Sequence, residues 1–142
     1  MDRSEQYQAM CRRAEEIQRR WRPVYGDFYV DEQDRIACWL EEKEDGRAMK
    51  GPVMVERNAG LIRLRRFVWL PRLNQLMEAA QEPGCRFETM AHHFFRWCKT
   101  GYGRQAIPPA KFFLSLEQTW MAFIMFKGYG KVWDGVQWVD LD

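Results

Sequence analysis

The feature that most constrains the fold is a run of seven apolar residues at positions 120–126, in the last third of the chain. Ser115 lies before this run, and Gln118 lies three residues after Ser115. A Ser followed three residues later by Gln is the pattern of a capping box at the start of a helix. A helix that is apolar on nearly all sides has to be buried on nearly all sides. We therefore expect a buried helix that begins after Ser115 and ends at Gly128, with other elements packed around it.

The composition is that of a folded globular protein. Of 142 residues, 46% are hydrophobic and 15% are aromatic, which excludes a disordered tail because such a tail lacks the apolar surface needed to offset ordering entropy. A membrane-spanning helix is excluded as well, because it requires about 18 or more consecutive apolar residues. The length is close to that of one typical domain, so we predict a single domain over residues 1–142.

Near the N-terminus, apolar residues recur at alternating intervals of three and four, as they do along one face of a helix. Ser4 is the predicted N-cap, and Pro23 ends the pattern. This N-terminal stripe consists of Tyr7, Met10, Ala14, Ile17 and Trp21. So narrow a stripe either docks on the rest of the chain or pairs with another chain. Under the second interpretation, the candidate partner-binding residues are Tyr7, Met10, Ile17 and Trp21.

The middle of the chain alternates β-prone runs with turn residues. Residues 24–25 and 28–30 are predicted to form one strand that is interrupted at Gly26 and Asp27, and residues 35–40 form a second predicted strand after a turn at 31–34. Residues 53–57 and 61–67 are two more β-prone runs, and the three residues between them suit a hairpin with Gly60 in a left-handed conformation. We expect a small antiparallel β-meander in this region.

Two further helices are predicted between this region and the buried helix. Pro71 suits the first position of a helix whose apolar face ends before residue 83. The second covers residues 86–99, and its apolar residues recur at helical spacing in a broad stripe that we expect to face the core. That stripe consists of Phe87, Met90, Ala91, Phe94, Phe95 and Cys98.

The chain ends in a predicted β-hairpin at residues 132–139. Asp134 and Gly135 suit a two-residue type I′ turn, which pairs Trp133 with Val136. The predicted fold class is therefore α+β: an N-terminal helix, a small antiparallel β-meander, three further helices and a C-terminal β-hairpin.

Two sequence motifs carry a resemblance to known proteins. Residues 69–76 read WLPRLNQL, and residues 115–123 read SLEQTWMAF, followed by KVWDG at 131–135. Together with AEEIQ at 14–18, these motifs resemble small uncharacterised proteins encoded by bacteriophages and prophages, mostly of firmicute bacteria. The resemblance implies a phage-related protein in the cytoplasm of its host. It carries over no activity, cofactor or catalytic residue.

The four cysteines indicate a reducing compartment. Cys11, Cys38, Cys85 and Cys98 form neither a CxxC pair nor a dense framework, and the N-terminal residues lack the apolar core of a secretory signal. An intracellular protein with free thiols is the simpler interpretation.

Two groups of residues have the side-chain types that bind metals, but neither has a suitable pattern. On a helix, His92 and His93 point about 100° apart, and their spacing from the cysteines at 85 and 98 matches no common zinc site. Residues 27–34 contain four acids in an order that fits no calcium loop, and a solvated turn explains them better. These acids are Asp27, Asp31, Glu32 and Asp34. No metal, cofactor or catalytic residue is predicted.

Charge is distributed unevenly along the chain. The formal net charge is only +2, but residues 61–111 contain nine bases and three acids. Guanidinium groups beside an exposed aromatic suit phosphate contact with base stacking. The candidate nucleic-acid-binding residues are Arg63, Arg65, Arg72, Lys99, Tyr102, Arg104 and Lys111. The alternative is a solvated strand face whose arginines balance the acids of residues 31–60.

The sequence therefore favours binding over catalysis. Aromatic residues and Arg are enriched at interface anchors, and seven Trp in a chain of this size favour a protein partner or self-association. A nucleic-acid partner is the alternative, and a metal-dependent enzyme ranks third.

Overall fold

The computed structural model describes residues 1–40, 67–100 and 113–141. Its helices are α1 (Glu5–Arg13), α2 (Glu15–Gln18), α3 (Leu73–Ala80), α4 (Phe87–Thr100) and α5 (Leu116–Tyr129). Its strands are β1 (Phe28–Val30), β2 (Ile36–Cys38), β3 (Val68–Leu70), β4 (Lys131–Trp133) and β5 (Trp138–Asp140). Helices and small antiparallel sheets together confirm the predicted α+β class.

The contacts within the chain divide it into two compact units. The first unit comprises Met1–Met10 and Arg72–Asp142, and the second comprises Cys11–Pro71. The single domain expected over residues 1–142 stays a prediction, and the two units are described separately below.

The N-terminal stripe lies on two helices rather than on one. Ser4 caps α1 as predicted, because its Oγ accepts a hydrogen bond from the backbone N–H of Tyr7 at 3.2 Å. The continuous helix expected up to Trp21 is wrong at Ala14, where φ is −85° and ψ is 67°. These angles are those of an inverse γ-turn. The break leaves the Cys11 carbonyl at the end of α1, where it accepts a hydrogen bond from the Gln18 side chain at 3.0 Å.

The second unit contains a three-stranded antiparallel sheet in the order β2-β1-β3. In the central strand β1, Tyr29 is paired with Ala37 of β2 and with Trp69 of β3. The predicted strands are present at 28–30 and 36–38, whereas residues 24 and 25, expected at the start of the first strand, are not part of it. The run at 53–57 and nearly all of that at 61–67 lie outside the described residues. Strand β3 was not predicted.

A side chain closes the outer edge of β3. The backbone N–H of Trp69 donates to Gln18 Oε1 at 2.8 Å, and the Trp69 carbonyl accepts from Gln18 Nε2 at 3.0 Å. A carboxamide offers the same donor and acceptor as a peptide group. Gln18 therefore takes the place of a neighbouring strand and protects this edge from pairing with another chain.

In the first unit, α5 is the buried helix that its sequence predicts. Ser115 Oγ accepts from the backbone N–H of Gln118 at 3.1 Å, and all eight residues 118–125 are buried. The helix extends beyond the predicted end at Gly128 and is capped at Gly130, whose φ is +63°. The left-handed conformation of Gly130 makes it the cap, since glycine adopts it without steric cost.

Helices α3 and α4 and strand β4 pack against α5. Pro71 lies one residue before the N-cap of α3 rather than at its first position, and Arg72 is the N-cap. The Arg72 backbone N–H donates to Gln75 Oε1 at 2.9 Å, which supplies half of a capping box. The ring of Phe94 in α4 stacks on Trp120 of α5 with the centroids 3.9 Å apart.

The C-terminal hairpin is present, but in a different register from the one predicted. Trp133 is paired with Trp138 rather than with Val136, so the connection has four residues instead of two. Asp134 Oδ1 accepts the backbone N–H groups of both Val136 and Gln137 at 2.8 Å. These bonds stabilise the longer turn, and the two indole rings contact edge to face with centroids 5.0 Å apart.

Candidate functional site

Helix α4 exposes two phenylalanines that the sequence analysis assigned to the core. Phe87 is 48% exposed and Phe95 is 61% exposed, so the expectation of a broad core-facing stripe was wrong. The buried residues of α4 are Met90, Phe94 and Trp97. Among the described helices, α4 packs mainly against α5, and the rings of Phe87 and Phe95 lie outside that contact.

The exposed side of α4 combines an apolar row with a polar row. Phe87, Ala91 and Phe95 are spaced four residues apart, and a second row at positions 88, 92, 96 and 99 lies beside them at helical spacing, beginning with an acidic residue and ending with two basic ones. We call this surface the outer face of α4. It consists of Phe87, Glu88, Ala91, His92, Phe95, Arg96 and Lys99. Neither Arg96 nor Lys99 forms an ion pair with any residue in the described part of the chain.

A second exposed feature is the tight loop at residues 22–26 of the second unit, which we call the pinned loop. Gly26 has φ +87°, and the Asp27 N–H donates to the Val24 carbonyl at 3.0 Å. These are the features of a type II turn, in which glycine occupies the third position. The turn presents Val24, which is 49% exposed, and Tyr25, which is 64% exposed.

The buried side chain of Asp27 stabilises the pinned loop through hydrogen bonds. Its carboxylate is only 1% exposed and accepts the indole N–H of Trp21 at 2.9 Å and the backbone N–H of Val24 at 3.1 Å. The Gly26 N–H also donates to the Trp39 carbonyl at 2.8 Å. With both ends fixed, the loop is preorganised, and binding through Tyr25 would lose little backbone entropy.

Trp21 is itself fixed by neighbouring rings. Its ring lies nearly parallel to that of Trp69 with the centroids 6.2 Å apart, and Trp39 contacts it edge to face at 5.7 Å. These contacts position the indole N–H that Asp27 accepts, so the sheet of the second unit supports the loop directly.

A polar node in the first unit has the appearance of a reactive centre. Asp2 accepts from the Ser4 N–H at 2.8 Å, the Ser115 hydroxyl at 2.5 Å and Gln118 Nε2 at 2.7 Å. The same Gln118 side chain accepts the Leu114 N–H at 3.2 Å. Residues 1–4, 114, 115, 117 and 118 line a shallow groove of about 390 Å³.

The chemistry of this node is structural rather than catalytic. A serine nucleophile needs a base that takes its proton near neutral pH. Burial by itself raises the pKa of Asp2, but the hydrogen bonds from its three neighbours lower it more, so the pKa lies below the ordinary value of 3.8. Asp2 is therefore too weak a base, and Ser115 Oγ already accepts the Gln118 N–H as a helix cap.

The residues considered as metal ligands have other roles. Among residues 1–40, 67–100 and 113–141, no three His, Cys, Asp or Glu side chains are placed to hold a metal ion. Asp31 accepts the backbone N–H groups of Gln33 and Arg35 and the Arg35 side chain, and these bonds, the Arg35 backbone first, keep its pKa below the ordinary value. Burial raises the pKa of the Cys98 thiol.

Only two of the predicted nucleic-acid-binding residues are described by the structure. Lys99 is exposed in the last turn of α4, and Arg72 is half-buried at the N-cap of α3. The remaining five lie outside the described residues: Arg63, Arg65, Tyr102, Arg104 and Lys111.

The predicted partner-binding residues of the N-terminal stripe are all buried. Tyr7, Met10, Ile17 and Trp21 are at most 3% exposed, so the chain itself covers them in this conformation. The seven Trp residues are all buried or half-buried. The exposed aromatic rings are instead those of Tyr25, Phe87 and Phe95 among the described residues.

Sequence reasoning missed Tyr25 and Val24, which were assigned to the start of a strand. The signal that identifies them is Gly26 followed by Asp27, since Gly is required at the third position of a type II turn. Their exposure, however, depends on the burial of Asp27, which only the folded unit establishes.

No helix in the described part of the chain is both long and apolar enough to span a bilayer. Comparison of the sequence with protein-family models, with curated proteins and with solved structures gave no match.

Proposed function

We propose that this chain is a phage-related accessory protein of the host cytoplasm that acts by binding a protein partner on the outer face of α4. The exposure of Phe87 and Phe95 carries the proposal. Large rings in water cost free energy that burial in an interface recovers, at about 25 cal/mol per Å² of apolar area. Exposed apolar side chains grouped on one helix face are typical of interaction sites.

The charges on this face favour an acidic partner. Arg96 and Lys99 lie beside the phenylalanine row, and no described carboxylate neutralises them. Complementary charge steers association and selects among partners. The partner is therefore expected to present an apolar segment with acidic side chains around it.

The test is comparative affinity capture from a firmicute host lysate, with nuclease added in one arm. Wild-type protein is compared with Phe87→Ser/Phe95→Ser and with a control, Val136→Ser, which removes an exposed apolar residue from the C-terminal hairpin. We expect an acidic protein that survives nuclease, is retained by the control and is lost in the double variant.

Capture of the same proteins by the double variant and by wild type would overturn the proposal, and so would capture that disappears with nuclease. Thermal unfolding of both variants verifies that they fold. Because both phenylalanines are exposed in the folded chain, their replacement should change stability little.

A further inference from the structure

The segment that leads into the pinned loop is rich in arginine. Between residues 12 and 22 all five basic residues are Arg, and residues 11–40 contain no Lys. The five are exposed: Arg12, Arg13, Arg19, Arg20 and Arg22. Arg12 pairs with Asp34 and Arg19 with Glu15, each at 3.0 Å, so part of this charge is balanced within the second unit.

The positive charges of Arg20 and Arg22 are not balanced by an ion pair with any described carboxylate. The Arg20 guanidinium has no hydrogen bond or ion pair with any described residue. Arg22 Nη1 donates to the carbonyls of Arg19 at 3.3 Å and Trp21 at 3.0 Å, which are neutral groups. Compensation of a helix dipole does not explain both arginines, because α2 has only four residues and its dipole is small.

Tyr25 provides an exposed ring in the loop that follows these arginines in the sequence. The bond between the Trp21 indole and Asp27 closes a short loop, so Arg22 and Tyr25 project from the same five residues. Because Asp27 and Gly26 fix the backbone of that loop, the ring is presented in a defined position. The second unit thus presents an exposed ring on a fixed backbone three residues after Arg22 and five residues after Arg20, and no described carboxylate pairs with either guanidinium group.

From this arrangement we propose that Arg20, Arg22 and Tyr25 form a contact site for single-stranded nucleic acid. Guanidinium groups bind phosphate in two-pronged geometry better than ammonium groups do. Single strands offer unpaired bases that stack on tyrosine without sequence preference. The site lies in the second unit and uses no residue of the outer face of α4, so it is independent of the proposed protein partner.

An acidic protein is the competing ligand for the same charges. Single-stranded nucleic acid is favoured because the exposed apolar surface of the loop is small, with Val24 and Tyr25 alone contributing large side chains. A protein anchor typically needs a larger apolar centre that excludes water. A strand of phosphates and bases needs only charge and a ring face.

The test uses fluorescence anisotropy of a labelled oligothymidylate, single-stranded or in a duplex with oligoadenylate, titrated with the full-length protein at low salt. We expect the single strand to bind more tightly than the duplex. Tyr25→Leu keeps an apolar side chain but removes the ring face, and it should weaken binding about 5- to 150-fold. Tyr25→Phe should retain most of the affinity.

Charge is tested with Arg20→Gln and a matched control, Arg86→Gln, which removes an exposed arginine of the first unit. For Arg20→Gln we expect weaker binding and a decrease of about 0.7 in the slope of log affinity against log salt concentration. Arg86→Gln should leave both quantities unchanged.

Three results would overturn this proposal: no binding of the single strand at low salt, equal binding of strand and duplex with no effect of Tyr25→Leu, or equal losses in the two arginine variants. If Arg20→Gln and Tyr25→Leu instead abolish capture of a nuclease-resistant acidic protein while the oligonucleotide does not bind, the site belongs to a protein ligand. We expect variants of the outer face of α4 to change neither the affinity for the oligonucleotide nor its salt dependence.

Discussion

Asp27 in the second unit and Asp2 in the first use similar hydrogen bonds for different purposes. Asp27 is almost fully buried and accepts from an indole and a backbone N–H. Asp2 is half-buried and accepts from a backbone N–H, a hydroxyl and a carboxamide. A buried donor that loses its acceptor keeps its desolvation penalty, whereas an exposed donor finds water. Because it is buried, Asp27 determines the shape of the pinned loop, whereas the half-buried Asp2 stabilises only the residues that it contacts.

The largest effect is expected for Asp27→Ala. It leaves the Trp21 indole and the Val24 N–H without their buried acceptor, and we expect the free energy of unfolding to fall by about 3 kcal/mol. Urea unfolding followed by tryptophan fluorescence measures this loss. Asp27→Asn, which retains one acceptor oxygen, is the control and should lose less. A smaller loss for Ala than for Asn would contradict the role of Asp27 as an acceptor.

Gln118→Leu should have the next largest effect. Gln118 is fully buried and bonds Asp2, Ser4 and the Leu114 N–H at 2.7, 3.1 and 3.2 Å. Leucine fills a similar volume but satisfies none of these groups, so we expect a loss of about 2 kcal/mol in the same urea experiment. Gln118→Glu keeps the acceptor and places a second carboxylate beside Asp2; it should also destabilise, and more so at neutral than at acidic pH.

Asp2→Asn is expected to cost about 1 kcal/mol, because one of the oxygens that accepts hydrogen bonds is replaced by a donor and water partly compensates. If Asp2→Asn costs as much as Asp27→Ala, burial does not explain the difference between the two carboxylates. Hydrogen exchange of the amides in the first turn of α5 provides a local readout of the same change.

The smallest expected effect is a dependence of stability on pH. Because the pKa of Asp2 is lower in the folded chain than its ordinary value of 3.8, its contribution is complete above about pH 4 to 5 and is lost as the pH falls through the folded pKa. The difference in unfolding free energy between wild type and Asp2→Asn should therefore shrink below pH 4. A difference that grows on acidification would contradict the lowered pKa.

Local signals in the sequence predicted the elements well. Ser4 and Ser115 cap the helices expected of them, and Gly135 lies in the turn of the predicted hairpin. These features depend on residues within a few positions of one another, so no knowledge of the fold is needed. The break at Ala14 and the three-residue strand β3 were missed, because each is stabilised by Gln18, whose side chain bonds to Cys11 and to Trp69, 51 residues away in the sequence.

The candidate surfaces were the least predictable part. Helical periodicity placed Phe87 and Phe95 on an apolar face, but none of the described elements covers these two rings, so they are exposed. The N-terminal stripe shows the opposite outcome, since its residues are covered within the chain. Helical periodicity indicates which residues share a face of a helix. It does not indicate how many other elements pack against that face.

By itself, the sequence determined the α+β class and the capped and buried helix α5, because caps, apolar runs and residue spacing act over short distances. The tertiary structure decided which rings are buried and which remain in water, and it decided that Asp27 supports a turn rather than standing in solvent. Burial is a property of what packs over a residue, and that is fixed only when distant segments meet.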